Sequence, residues 1–168
     1  MALIVLRMRD IRAQRWEEAR KHFAKAAYTP VGELTSALLA SWAWAGEGKA
    51  PEAMAELDKL DANEAFANFK AFHSAILSDF LGNRLKAEQN YKKAYEVAPT
   101  SLRVVQAYGN FLERTKRGAE ARKLYSAFLE GGDRNPLIAI ALHGAEAGKV
   151  PQPFIASPMF GVGEAMFS

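Results

Sequence analysis

The side chains best suited to proton transfer near neutral pH are histidines, and this sequence has three, His22, His73 and His143. They lie far apart in the chain, and none belongs to a metal-ligand spacing such as His-Glu-x-x-His. His143 and Glu146 stand three apart on one expected helix, the ordinary spacing of a surface pair. The stretch FGVGEA, which opens at Phe160, offers two glycines but no preceding strand and no third glycine, so it is no nucleotide loop. No Gly-x-Ser-x-Gly is present, and without cysteine there is no Cys–His pair, disulfide or thiolate metal site. Carboxylates are plentiful, yet no apolar pocket can be read that would drive two of their pKa values apart. The chain is therefore expected to be non-enzymatic, with no catalytic, cofactor or metal residues. The chemistry left to it is recognition by apolar surface. In FANFKAFHSAILSDFLG, which runs from Phe66 to Gly82, Phe69, Phe72, Ile76 and Phe80 recur at steps of three and four as an aromatic stripe. Ala71, Ser74, Ala75 and Ser78 form a second, small-residue stripe suited to close helix contact.

Composition narrows the partner. The 168 residues, 49% of them hydrophobic, suffice for a core, and the net charge of +3 is mild. Residues 1–25 hold seven basic side chains against three acidic ones, so the basic character sits at one end. Charges interleaved along helices read as a solvated face, and no nucleic-acid module is recognisable, so a nucleic-acid partner is not expected. No apolar run approaches the roughly 20 residues of a membrane span. The opening MALIVLRMRD carries its charges after its apolar stretch, which is wrong for a secretory signal. It fits an amphipathic helix, or a chain that starts partway into a longer protein.

The elements that must position these residues follow from a period. Ala19, Ala53, Ala87 and Ala121 are spaced by 34. Four residues beyond each stand Phe23, Leu57, Tyr91 and Tyr125, and seven beyond stand Ala26, Leu60, Ala94 and Phe128. These offsets share one helical face. The small residue lets two helices approach, and the large one fills the space a turn later. Gly48 and Gly82 supply turn signals five residues ahead of their alanines, with Gly118 nearer in the last unit, and Pro99 closes a helix. Helices are expected near 2–13, 16–28, 33–46, 50–61, 64–81, 84–97, 101–115 and 118–130, an all-α array of four antiparallel pairs. Fixed periods of this length mark repeat architectures, in which each pair buries its face on the next. Residues 1–136 form the array. Residues 137–168 read as a fifth first helix (PLIAIALHGAEAGK), an extended proline-rich linker (VPQPFIASP) and the start of a further helix (MFGVGEAMFS). Such an ending, without a polar cap, suggests a fragment of a longer protein.

On these residues the chain resembles the tetratricopeptide repeat family. In SLRVVQAYGNFLERTKRGAEARKLYSAFLE, Tyr108–Gly109 and Leu112 stand where that family has Leu-Gly and Tyr, and Ala121 and Tyr125 where its second helix has Ala and Phe. RWEEARKHFAKAA matches the second helix through Trp16, Ala19, Phe23 and Ala26. The resemblance covers residues 1 to about 136. Arg7 departs from it at a small position, Leu60 and Phe128 replace a later Ala, and Asp133 replaces the terminal Pro. It implies an α-solenoid, a right-handed superhelix of antiparallel pairs, similar to part of bacterial proteins with further repeats downstream. Cytoplasm and periplasm both remain open as its compartment.

The resemblance further implies that first helices line a concave surface taking a peptide or helical protein segment. The positions that carry over are Ile4 and Met8, then Leu38 and Trp42, then Phe69, Phe72, Ile76 and Phe80, then Arg103, Gln106, Asn110 and Arg114. Trp44 falls at a core Tyr position and Trp42 toward the groove. Two roles are open to Trp42, Phe72 and Ile76: capture of an apolar segment, or packing on neighbouring first helices. For Phe69 and Phe80 packing is the expected role. The family's clamp for acidic C-termini is disfavoured, since its Lys and Asn positions here hold mostly apolar residues. The expected function is a scaffold for protein–protein interaction. The alternative is a structural or accessory repeat region, its groove or uncapped C-terminal end filled by the rest of the chain or by a second copy.

Overall fold

The computed structural model describes residues 17, 18, 20, 21, 29–132 and 135–153. The helix expected over 2–13, the positions Ile4, Met8, Trp16, Ala19, Phe23 and Ala26, and the C-terminal MFGVGEAMFS lie outside the described residues. Among the described residues the protein is all-α, with no strand. Glu17, Glu18, Arg20 and Lys21 are helical. Seven α-helices follow: α1 (Pro30–Gly46), α2 (Ala50–Asp58), α3 (Ala67–Phe80), α4 (Arg84–Val97), α5 (Leu102–Arg114), α6 (Gly118–Glu130) and α7 (Pro136–Glu146). Short 3-10 turns, Lys59–Ala62 and Glu64–Phe66, join α2 to α3.

Local chemistry sets these boundaries. α1 begins at Pro30, three residues before the sequence expectation, because Thr29 accepts a hydrogen bond from the Gly32 N–H at 3.0 Å and Pro30 suits a first-turn position. Asn135 caps α7 in the same way through the Leu137 N–H, at 3.0 Å, again followed by proline. Four helix ends share one turn. Gly48 (φ 76°), Gly82 (φ 76°), Lys116 (φ 65°) and Gly148 (φ 69°) are left-handed. The next residue's N–H in each case returns to a carbonyl five residues back: Lys49 to Trp44, Asn83 to Ser78, Arg117 to Leu112 and Lys149 to Gly144, at 2.8–3.0 Å. The first three of these turns are spaced by 34, the period of the alanines. The turn of the last expected pair is thus made by Lys116, five residues ahead of Ala121, and not by Gly118, which already lies in α6.

The chain divides into two compact units, Met1–Arg84 and Leu85–Ser168. In the first, α1 folds back on α2, and Ala37, Ala45, Ala53, Leu57, Leu60, Phe66 and Leu77 make the core. In the second, α6 packs on both α5 and α7. Tyr91 of α4 stacks on Tyr108 of α5, ring centres 5.7 Å apart and planes 11° from parallel, and leans on Phe111 at 5.0 Å. α5 is enclosed on nearly every side, with every residue from Ala107 to Glu113 buried. The face spaced i, i+4, i+7 is interior in both units: Ala53, Leu57 and Leu60 in the first, Ala87, Tyr91, Ala94, Ala121, Tyr125 and Phe128 in the second.

Candidate partner-binding face

The first unit concentrates the aromatic residues. Trp42, half-buried near the end of α1, donates its indole Nε1–H to Nδ1 of His73 on α3 at 3.1 Å. Its ring meets Phe80 with centres 5.7 Å apart, while Phe72 stands edge-on to His73 at 5.6 Å. The bond anchors an otherwise apolar patch, since a buried indole N–H without an acceptor is costly. Phe69 and Phe80, expected to pack away, are 49% and 47% exposed. Ile76 does the opposite. At 1% exposure it belongs to the interior of α3 and offers no surface to a partner. Leu38 is half-buried against the core. Trp42, His73, Phe72 and Phe80 therefore gather into one partly open aromatic face carried by α1 and α3, and Phe69 stands one turn before Phe72 and His73 on α3. The small stripe of Ala71, Ser74, Ala75 and Ser78 is buried throughout.

A second tryptophan, Trp44, sits in a charged setting. Trp44 lies under the Arg20 guanidinium, 3.5 Å from ring centre to Cζ, with Lys49 Nζ 4.8 Å from the same ring. Glu47 bridges both cations, at 2.6 Å to Arg20 and 3.0 Å to Lys49. These hydrogen bonds, Arg20's first, outweigh the opposing effect of burial and hold the Glu47 carboxyl below its usual range. A cleft of about 420 Å3 beside Trp44 is lined by Arg20, Lys21 and Lys59 as well as Glu33 and Glu56. Charges of both signs on its walls give it no preference for an anion or a cation.

The second unit is polar at the corresponding positions of its first helix. Arg103 is exposed, Gln106 and Arg114 are half-buried, and Asn110 is only 7% exposed. Arg114 donates Nε–H to Asn110 Oδ1 at 2.8 Å, and Asn110 Nδ2 donates to the Gln152 carbonyl oxygen at 2.6 Å. Also on α5, the buried Glu113 carboxylate accepts the Tyr125 hydroxyl at 2.8 Å. Burial pushes the Glu113 carboxyl above its usual range, against the pull of that bond, and pushes the Tyr125 hydroxyl up as well, helped by the nearby carboxylate. A raised carboxyl can mark an acid catalyst; this one is 8% exposed and bonded to Tyr125 of α6.

No protein-family model matches the chain, and neither a curated protein nor a solved structure matches it. Among the described residues, no group of three His, Cys, Asp or Glu is placed to hold a metal ion, and no helix is long and apolar enough to cross a membrane.

Three features had no signal in the sequence. His73 is identified as the acceptor for Trp42 only once α1 and α3 are side by side. Arg20 over Trp44 joins residues 24 apart. The Asn110–Gln152 bond joins residues 42 apart, and only a chain reversal after α7 makes it.

Proposed function

We propose that this chain is a non-catalytic scaffold for protein–protein interaction, a tetratricopeptide-like α-solenoid of antiparallel helix pairs that binds an apolar peptide or helical segment on the faces of its first helices. The repeat reading is supported by the interior face at Ala53, Ala87 and Ala121 and by left-handed turns at Gly48, Gly82 and Lys116, both spaced by 34. The binding reading rests on one observation: Phe80 leaves about half its surface in water against the Trp42 ring, and Phe69, on the same helix, is as exposed. Covering the exposed half of each ring on binding contributes roughly 1 kcal/mol before ordering costs. A hydrophobic segment laid on this face meets Trp42, Phe72 and Phe80 as partly open apolar anchors.

The test is selection of helical peptides from a displayed library against the full chain. Selected binders are then titrated against wild type, Phe69→Ser/Phe80→Ser and Trp42→Ala. Binders with apolar stripes that lose about tenfold or more in the Phe69→Ser/Phe80→Ser variant, at unchanged helicity, support the proposal. Binders indifferent to both variants, or none with an apolar stripe, would overturn it.

A further inference from the structure

Asn110 departs from the pattern of its own repeat. The residues 34 and 68 positions earlier are Ile76 and Trp42, both large and apolar. Asparagine is a poor helix former, and a buried amide is costly unless its polar atoms are bonded. Both of its polar atoms are bonded here. Arg114, one turn later, holds Oδ1 at 2.8 Å and thereby settles which way the amide faces. Nδ2 is left to donate outward, and it meets the main-chain oxygen of Gln152 at 2.6 Å.

The segment that Asn110 meets is suited to this contact. Gly148, left-handed at φ 69°, ends α7 and reverses the chain, and Val150, Pro151, Gln152 and Pro153 then run without helix or strand. Pro151 and Pro153 fix their own backbone, bias Val150 and Gln152 toward extended angles, and lack the N–H that a helix or sheet would use. Carbonyl oxygens are what such a segment has to offer a donor. Val150 is 72% exposed, and Gln152 and Pro153 are also exposed, so the contact reads backbone rather than side chains.

We infer that the Asn110–Arg114 face of α5 is a receptor for extended, proline-flanked segments read through a main-chain carbonyl, and that Val150–Pro153 occupies it in cis as a displaceable strap. A partner segment of the same chemistry must first displace the strap. Because the strap is tethered a few residues from α7, its effective concentration is on the order of millimolar, so the wild-type chain binds such a partner weakly. This inference concerns the second unit and does not depend on the aromatic face of the first.

The probe is a dye-labelled peptide with the sequence of residues 148–153, titrated against three full-length proteins: wild type, Pro151→Gly/Pro153→Gly, and that double variant with Asn110→Leu. Loosening the strap is expected to tighten peptide binding by about tenfold, and Asn110→Leu, which restores an apolar residue at this position, is expected to abolish the gain. Equal binding by all three proteins, or no saturable binding to the strap variant, would overturn the receptor. Trypsin cleavage after Lys149 reads the strap itself and needs no peptide. Cleavage several-fold faster in Asn110→Leu than in wild type, at equal helicity, supports occupancy in cis. Equal cleavage rates would overturn it.

Discussion

Glu113 and Tyr125 meet inside the second unit through one hydrogen bond of 2.8 Å, and Gly109 lies against the same tyrosine ring. Each makes a prediction of its own. The Glu113 carboxyl is held above its usual range by burial. Its contribution to stability is therefore complete below the unfolded carboxyl value, near 4.3, and is lost as pH rises through the higher folded value. Glu113→Gln keeps an acceptor for Tyr125 and cannot ionise. The stability difference between variant and wild type should move in favour of Gln as pH rises from about 4 to 8, and urea titrations at several pH values read this directly. A flat difference would mean that Glu113 ionises as freely in the fold as outside it. Gly109 predicts a steric effect. A Cβ there would lie 2.2 Å from Tyr125 Cε1, on a ring that is 1% exposed and has nowhere to go. Gly109→Ala should cost roughly 1–3 kcal/mol. Gly144 in α7 has open space around its Cβ direction, so Gly144→Ala should instead stabilise by about 0.5–1 kcal/mol. Opposite signs for one substitution separate close packing from helix propensity.

The helices themselves were largely legible in the sequence. Apolar spacing over 84–97 and 118–130 gave α4 and α6 their bounds, because a 3.6-residue period is a local property of the chain. The turns were less legible. Gly48 and Gly82 announce left-handed positions, but Lys116 carries no such signal, and the neighbouring Gly118 drew the expectation two residues too far. A lysine at φ 65° persists there because the Arg117 N–H to Leu112 bond at 2.8 Å requires that turn. The position is strained for any residue with a Cβ. Lys116→Gly should therefore stabilise the second unit by about 1 kcal/mol, measurable as a shift in the urea midpoint without a change in slope. A loss of stability would show that the lysine side chain does more for this turn than its backbone costs.

Partner positions were the least legible part, for a physical reason. Helical spacing states which residues share a face, and it does not state what covers that face. Phe72 and Ile76 stand one turn apart on α3, yet one is half-buried against His73 and the other wholly interior. Asn110 reads as a polar groove residue until Gln152, 42 residues on, is placed against it. What holds at the scale of the molecule is that each compact unit has its own core, Leu57 and Leu77 in the first, Tyr91 and Tyr125 in the second, all 1% exposed or less. In a chain assembled from short-range contacts, damage stays near its source. Leu57→Ala removes a fully buried side chain and should cost about 2–5 kcal/mol. Native-state hydrogen exchange should then show protection falling across α1, α2 and α3 while α5, α6 and α7 keep most of theirs. Tyr125→Ala should give the reverse pattern. Equal losses of protection in all six helices from either variant would mean that the chain unfolds as one cooperative body, and the repeat reading would fail with it.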